Sequence, residues 1–166
     1  TTLGLQVARQ TLLDGGRVLW AAPQLPDGKR FSHIFADVSP IESSRFHAIN
    51  LVGNLDQAID SLLKTAKALP NVSLVVLDDY CPNSGQIPND IIASVNKLIT
   101  HTSWTTLLIS KGGVSMDSYP LLARAKNKIN SDKIWLLTRP ESNSKRVLWI
   151  GDSSIDLMLK EEGFVH

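Results

Sequence analysis

The sequence has 166 residues, of which 43% are hydrophobic, so it can bury a sizeable core and we expect one domain spanning 1–166. Seventeen basic and sixteen acidic residues give a net charge of +1, which argues against a generally basic nucleic-acid binder. The single cysteine, Cys81, excludes an internal disulfide, and no apolar stretch has the length of a membrane span. We therefore expect no membrane contact and an intracellular location, cytoplasmic or, in a eukaryote, nuclear.

The first predicted element is a helix that begins with two threonines, Thr1 and Thr2. Apolar residues recur near helical spacing as far as Leu13, and Gly15 and Gly16 end the pattern before an apolar strand. This layout is typical of the second half of a phosphate-binding unit, in which a glycine-rich loop with a lysine precedes the helix. Threonine is also a common helix N-cap, so a purely structural role explains Thr1 equally well.

Strands and helices are then predicted to alternate, which favours an α/β fold with right-handed β-α-β connections. Near-continuous apolar runs indicate strands that are covered on both faces, as in a mostly parallel β-sheet flanked by helices. The predicted strands are 17–22, 73–78, 105–110, 133–138 and 146–150. The predicted helices are 54–68, 88–100 and a shorter one at 119–129.

The last third of the chain changes character, because short strands follow one another without a helix between them. A polar, turn-forming segment at 138–145 separates two of these strands, which predicts an antiparallel hairpin. We expect a C-terminal antiparallel β extension that belongs to the same domain as the parallel sheet.

Two carboxylates, Asp78 and Asp79, end the apolar strand 73–78. This arrangement has the form of a Walker B segment, in which the last acid of the strand orients water around Mg²⁺ beside a nucleotide. Acids also end buried strands merely as caps of turns or helices, and that alternative stays open. The chain order favours the Walker B interpretation, because a threonine-led helix, a strand and an acid-terminated strand follow one another as in a P-loop protein.

Five short segments carry a likeness to a known family. They are TTLGLQVA at 1–8, VLW at 18–20, KRF at 29–31, LVVLD at 74–78 and MLKEEGFV at 158–165. Together they resemble the RecA/RadA recombinase core, and most of all its small paralogues without extra domains, such as archaeal RadB. The resemblance implies a RecA-like core with the P-loop NTPase fold, in which Thr1 and Asp78 bind Mg²⁺. Thr2 and Asp79 are further candidates for the nucleotide site.

The sequence departs from the pattern of an active recombinase where hydrolysis would take place. That family places a glutamate after the strand that follows the first helix, and this glutamate polarises the attacking water. Gln24 stands at about that position here, and an amide can hold a water molecule but cannot accept its proton. Ser110 and Lys111 stand where the family has a polar sensor, usually Gln or Asn. We therefore expect no catalytic residue at Gln24 and little or no ATP hydrolysis.

The sequence begins at the threonines, without the glycine-rich loop and its lysine. Either the loop lies upstream of Thr1 in a longer protein, or the protein lacks it. ATP and Mg²⁺ are expected as cofactors only in the first case, because the loop amides and lysine neutralise the phosphates, and no cofactor is expected in the second. Retention of the threonine pair favours the first explanation.

A local basic cluster is the candidate for DNA contact. In the resembled family, the loops after the Asp78 and Ser110 strands face DNA. The candidate residues after Ser110 are Lys111, Gly112, Gly113, Arg124, Lys126 and Lys128. Their charge suits weak, salt-sensitive binding of the phosphate backbone, and an ordinary solvated surface is the alternative.

The resemblance implies an accessory factor in DNA recombination or repair, with a recombinase or another protein as partner and single-stranded DNA as a second partner. One alternative is a protein-binding module with the RecA fold, similar to the cell-division inhibitor SulA of the SOS response. Another alternative is a DNA-dependent ATPase whose phosphate-binding loop lies upstream. A homo-oligomer without a recombinase contact is the simplest competing assembly.

Overall fold

A parallel sheet of four strands lies at the centre of the fold. The computed structural model of the chain describes residues 1–100, 103–115, 118–141 and 143–166. The four strands are β1 (Arg17–Ala22), β2 (Phe46–Asn50), β3 (Val72–Asp78) and β4 (Thr105–Ile109). Their order is β2-β1-β3-β4, and all three neighbouring pairs are parallel. The expected parallel sheet is confirmed, and β1, β3 and β4 lie within one residue of their predicted bounds.

Helices cover both faces of this sheet. They are α1 (Thr2–Leu13), α2 (Gly28–Ile34), α3 (Pro40–Ser43), α4 (Leu55–Ala68) and α5 (Asn89–Ile99). Along β1, Val18 and Trp20 belong to the core that packs on α1 and α2, whereas Leu19 belongs to the core that packs on α4 and α5. Successive strand residues face opposite sides, so a strand covered on both sides must be apolar throughout. No helix in the described part of the chain is both long and apolar enough to cross a membrane.

The sequence analysis missed α2, α3 and β2. The two helices have only seven and four residues, which is too short for a helical repeat of apolar residues to show. Their starts are set by local caps instead. The Asp27 side chain accepts a hydrogen bond from the Arg30 amide, and Ser39 and Glu42 form a reciprocal capping box.

A second sheet, entirely antiparallel, forms the C-terminal part of the chain. Its strands are β7 (Trp135–Thr138), β8 (Lys145–Ile150), β9 (Ser153–Lys160) and β10 (Gly163–Val165), in the order β10-β9-β8-β7. β7 and β8 form the predicted hairpin. β10 lies against α1, where the Gln6 side-chain amide exchanges two hydrogen bonds, of 2.8 and 2.9 Å, with the backbone of Phe164.

The helix predicted at 119–129 is wrong. The chain instead forms β5 (Gly113–Ser115) and β6 (Ser118–Leu122), an antiparallel pair, followed by a turn over 124–128. Pro120 lacks a backbone donor and biases its predecessor away from helical geometry. Ala125 has a φ of 54°, and a right-handed helix cannot pass through a residue in that conformation. Burial of Ile129 at the end of the turn explains part of the misleading apolar pattern.

Candidate functional site

An open cleft of about 680 Å³ lies where the parallel strands end. Because neighbouring parallel strands share one carboxyl edge, residues far apart in sequence meet there, and ligands of open α/β sheets bind at such an edge. The lining residues come from the start of α1, from the segments after β1, β3 and β4, and from α2. They are Thr1, Thr2, Gln24, Leu25, Pro26, Asp27, Arg30, Asp78, Asp79, Ile109, Ser110 and Lys111.

Thr1 and Asp78 line this cleft and contact each other. The Thr1 hydroxyl makes no capping hydrogen bond to α1, although Thr1 occupies the N-cap position. It donates instead to Asp78 Oδ2 at 2.9 Å, across 77 residues of sequence. Asp78, the last residue of β3, is only 4% exposed. A hydroxyl beside a buried carboxylate forms an oxygen donor set of the kind that Mg²⁺ prefers.

Asp79 turns the chain away from the sheet directly after this pair. Its φ of 52° lies in the left-handed region, which non-glycine residues adopt at an energetic cost. Its amide donates to the Ile109 carbonyl at 2.9 Å, so the ends of β3 and β4 are joined at this point. Asp79 itself is exposed and lines the cleft, as do Thr2 on the first turn of α1 and Gln24 two residues after β1.

The cleft contains positive charge as well as carboxylates. Lys111, which the sequence analysis assigned to DNA contact, lines it and is exposed. Arg30 lines it too, and its Nη1 donates to the carbonyls of Lys160, the last residue of β9, and of Glu161, which follows it. The sequence analysis did not assign Arg30 to the site. The sequence feature that could have assigned Arg30 to the site is its place in the KRF segment, six residues after Gln24.

The residues proposed for DNA contact have different surroundings in the structure. Gly112 and Gly113 lead from the cleft into β5. Lys126 and Lys128 are exposed in the 124–128 turn, and Lys128 Nζ lies 3.5 Å from Asn89 Oδ1. The Arg124 guanidinium points inward and donates to backbone carbonyls of the loop after β3. The glycine-rich segment 111–118 includes residues 116 and 117, which lie outside the described residues.

Two buried residues follow Asp79. Tyr80 is 8% exposed and Cys81 is 9% exposed. Burial raises the pKa of the Tyr80 hydroxyl and that of the Cys81 thiol, because each charged form loses its hydration, and Arg124 opposes both shifts. Neither group is poised to ionise near neutral pH. No cluster of three or more His, Cys, Asp or Glu side chains that could hold a metal ion occurs among the described residues.

The sequence itself matches no family model and no curated protein. Solved structures do resemble the fold. A DnaB-like replicative helicase, described with its interactions with primase, has a TM-score of 0.70 and 13% identity over 99% of this chain and 54% of its own. A KaiC-like protein from the hyperthermophilic archaeon Pyrococcus horikoshii OT3 has a TM-score of 0.63 and 14% identity over 96% of this chain and 79% of its own.

The chain thus spans about half the length of the helicase chain that it resembles. At these identities the likeness concerns the fold alone. Both structures have the RecA-like fold. The expected fold class is therefore confirmed: this chain has a RecA-like α/β fold.

Proposed function

We propose that this chain is a RecA-like module that binds a Mg²⁺-nucleotide in the cleft, hydrolyses it little, and acts as an accessory factor in DNA recombination or repair. The observation that carries the proposal is the hydrogen bond between the Thr1 hydroxyl and Asp78. A threonine that served only as a helix cap would direct its oxygen to the α1 amides. Thr1 faces the acid at the end of β3 instead.

The residues present fit a hydrated Mg²⁺ ion. The Thr1 hydroxyl and the Asp78 carboxylate supply oxygen atoms, directly or through water, and Asp79 adds a second exposed carboxylate. The bound ion would neutralise phosphate charge. The first amides of a helix have no acceptor within the helix, so the start of α1 favours an anion beside Thr1. A phosphate-binding loop would precede Thr1, so binding must be measured on the full encoded protein.

Gln24 supports the proposal of weak hydrolysis. It is exposed in the cleft, at the position where the resemblance calls for a glutamate. An amide can orient a water molecule through hydrogen bonds, but it cannot take up a proton at neutral pH. The cleft is thereby suited to holding a nucleotide longer than an efficient ATPase would. A nucleotide held in this way can serve to stabilise one conformation for a partner.

The first test is calorimetric titration of the full encoded protein with ATP, in the presence and absence of Mg²⁺. Asp78→Asn should weaken Mg²⁺-dependent binding about tenfold or more, because it removes the charge that attracts the cation. Asp132→Asn is the matched control, since Asp132 is exposed and does not line the cleft. Absence of Mg²⁺-dependent binding to the wild-type protein would contradict the nucleotide site.

The second test concerns hydrolysis. Gln24→Glu should raise the steady-state ATPase rate about tenfold or more, because the carboxylate can act on the attacking water. Gln57→Glu makes the same chemical change on exposed α4, away from the cleft, and should leave the rate unchanged. A wild-type rate above about 1 per second, typical of an efficient enzyme, would favour the ATPase alternative.

The third test addresses the accessory role. The protein is mixed with the recombinase of the same cell, with and without single-stranded DNA, and followed by analytical ultracentrifugation. We expect a mixed complex, because RecA-like domains assemble through heterologous surfaces. Absence of a complex at tens of micromolar, where weak interfaces still register, would favour the SulA-like alternative or a homo-oligomer.

A further inference from the structure

Arg124 is bound to one loop by most of its guanidinium donors. The loop covers residues 81–85, directly after the acidic end of β3, and is called the 81–85 loop below. Arg124 Nε donates to the Gly85 carbonyl at 3.2 Å, and Nη2 donates to the same carbonyl at 2.8 Å and to that of Ser84 at 3.3 Å. Nη1 donates to the Pro82 carbonyl and lies 3.7 Å from Cys81 Sγ.

The backbone conformation near Arg124 leaves room for its hydrogen bonds to the loop. A Cβ atom at Gly113 would lie 3.2 Å from Arg124 Cγ, so the glycine leaves room for the arginine stem. Ala125, the next residue, has a φ of 54°, and Gly85 has a φ of 77°. A non-glycine residue persists in the left-handed region only when its surroundings over-determine it, and such residues concentrate at functional sites.

We infer that Arg124 is a positioning residue, which clamps the 81–85 loop onto the carboxyl ends of β3 and β4 and so holds the acidic edge of the cleft in place. For the role of the cleft, this inference rests on the function proposed above. The loop begins two residues after Asp79, whose amide is bonded to Ile109. Arg124 thus joins the segment after β6 to the loop that follows β3, and Asp79 joins the ends of β3 and β4.

The geometry also distinguishes a clamp from a phosphate-binding arginine. A planar guanidinium carries five donors in a rigid fork, and carbonyls of three residues here accept from it. A lysine ammonium cannot span three carbonyls in the same plane. Lysine at this position should therefore preserve the charge and lose most of the clamp, whereas phosphate binding would depend mainly on the charge.

The test uses Cys81 as a reporter, because it is buried under the clamp. The full encoded protein, without nucleotide, is treated with a thiol-labelling reagent, and the labelled Cys81 peptide is quantified by mass spectrometry. Arg124→Gln should accelerate labelling about tenfold or more, since local opening of the loop exposes the thiol. Arg124→Lys should also accelerate it, to a smaller extent.

Arg139→Gln is the matched control, because Arg139 is exposed and bonds only within its own turn to Glu141 among the described residues. Circular dichroism shows whether each variant is folded. If Arg124→Gln is unfolded, the test uses Arg124→Lys.

Unchanged labelling in both variants would overturn the clamp. The cleft is tested separately by titration with Mg²⁺-ATP, for which Arg124→Gln should raise the dissociation constant at least threefold. Faster labelling with unchanged Mg²⁺-ATP affinity would overturn the positioning role. If the wild-type protein binds no Mg²⁺-ATP, the proposed function fails. The wild-type protein and the Arg124 variants are then titrated with Mn²⁺ alone. An equal Mn²⁺ affinity of wild type and variants would overturn the positioning role.

Discussion

The central parallel sheet and the C-terminal antiparallel sheet differ sharply in how they are covered. Five of the six residues of β1 are buried, whereas β8, also of six residues, has one buried residue, Leu148. Trp20 in β1 is fully buried, and Trp149 in β8 is 40% exposed. Both strands have apolar sequences, so hydrophobicity alone does not show whether a strand is buried on one face or on two.

The two sheets are also held in place differently. The central sheet lies between two helix layers, and apolar burial of both faces stabilises it. The C-terminal sheet is joined to the helices by polar contacts near one edge, through Gln6 to Phe164 and through Arg30 to the turn before β10. We expect the central sheet to determine global stability and the C-terminal sheet to open locally.

The largest expected effect comes from truncating one tryptophan in each sheet. Trp20→Ala should cost about 3–5 kcal/mol of unfolding free energy, because it leaves a cavity in a fully packed core. Trp149→Ala should cost about 1 kcal/mol, because much of its surface is already in contact with water. Urea denaturation measures both. Equal losses would show that the two sheets unfold as equal parts of one core.

A smaller effect is expected at the junction of the two regions. Gln6→Ala removes two hydrogen bonds to Phe164, each worth about 0.5–1.5 kcal/mol. Hydrogen exchange of the Phe164 amide should accelerate, while that of β1 amides stays unchanged. Gln10→Ala on the same helix is the control, since its side-chain partner among the described residues, Asp14, is exposed. Faster exchange throughout the protein would mean that the C-terminal sheet supports the global fold.

The smallest effect concerns a surface ion pair on the α1 side of the central sheet. Arg9 donates two hydrogen bonds to Asp37, which lowers the pKa of Asp37 below its ordinary value of 3.8. The stabilisation is therefore present above that value and is lost as the pH falls through the lower, folded-state pKa. Thermal denaturation of wild type and Asp37→Asn should differ slightly at pH 7 and converge at acidic pH. A large difference would show that charge, and not burial, stabilises this region.

Strands β1, β3 and β4 of the central sheet were the most predictable elements, and the apolar run 17–22 coincides with β1. Similar runs at 133–138 and 146–150 predicted strands covered on both faces, but β7 and β8 are partly exposed. The long helices were predictable for a related reason, since α4 and α5 carry one apolar face and defined first turns. The 119–129 segment misled because its apolar residues recur near helical spacing, while Pro120 and the left-handed Ala125 prevent a helix.

The candidate site also has features that could be expected from the sequence and features that could not. The resemblance to the RecA/RadA core implied that Thr1 and Asp78 belong to one site, and the structure places the two side chains in hydrogen-bond contact. Helix starts and strand ends of consecutive β-α units lie at one edge of a parallel sheet. The direction of the Arg124 side chain did not follow, because it depends on a loop about forty residues away in sequence. The same holds for Arg30, whose partners lie near the end of the chain.

The sequence by itself determined the α/β class, strands β1, β3 and β4 of the central sheet and the carboxylate at the end of β3, because these depend on local apolar periodicity and chain order. Only the tertiary structure decided which cations face the cleft, since a charged side chain takes its direction from whichever acceptors the folded backbone places near it. Arg124 shows this most clearly. In the sequence it belongs to a basic cluster, and in the folded chain its donors are occupied by the carbonyls of one loop.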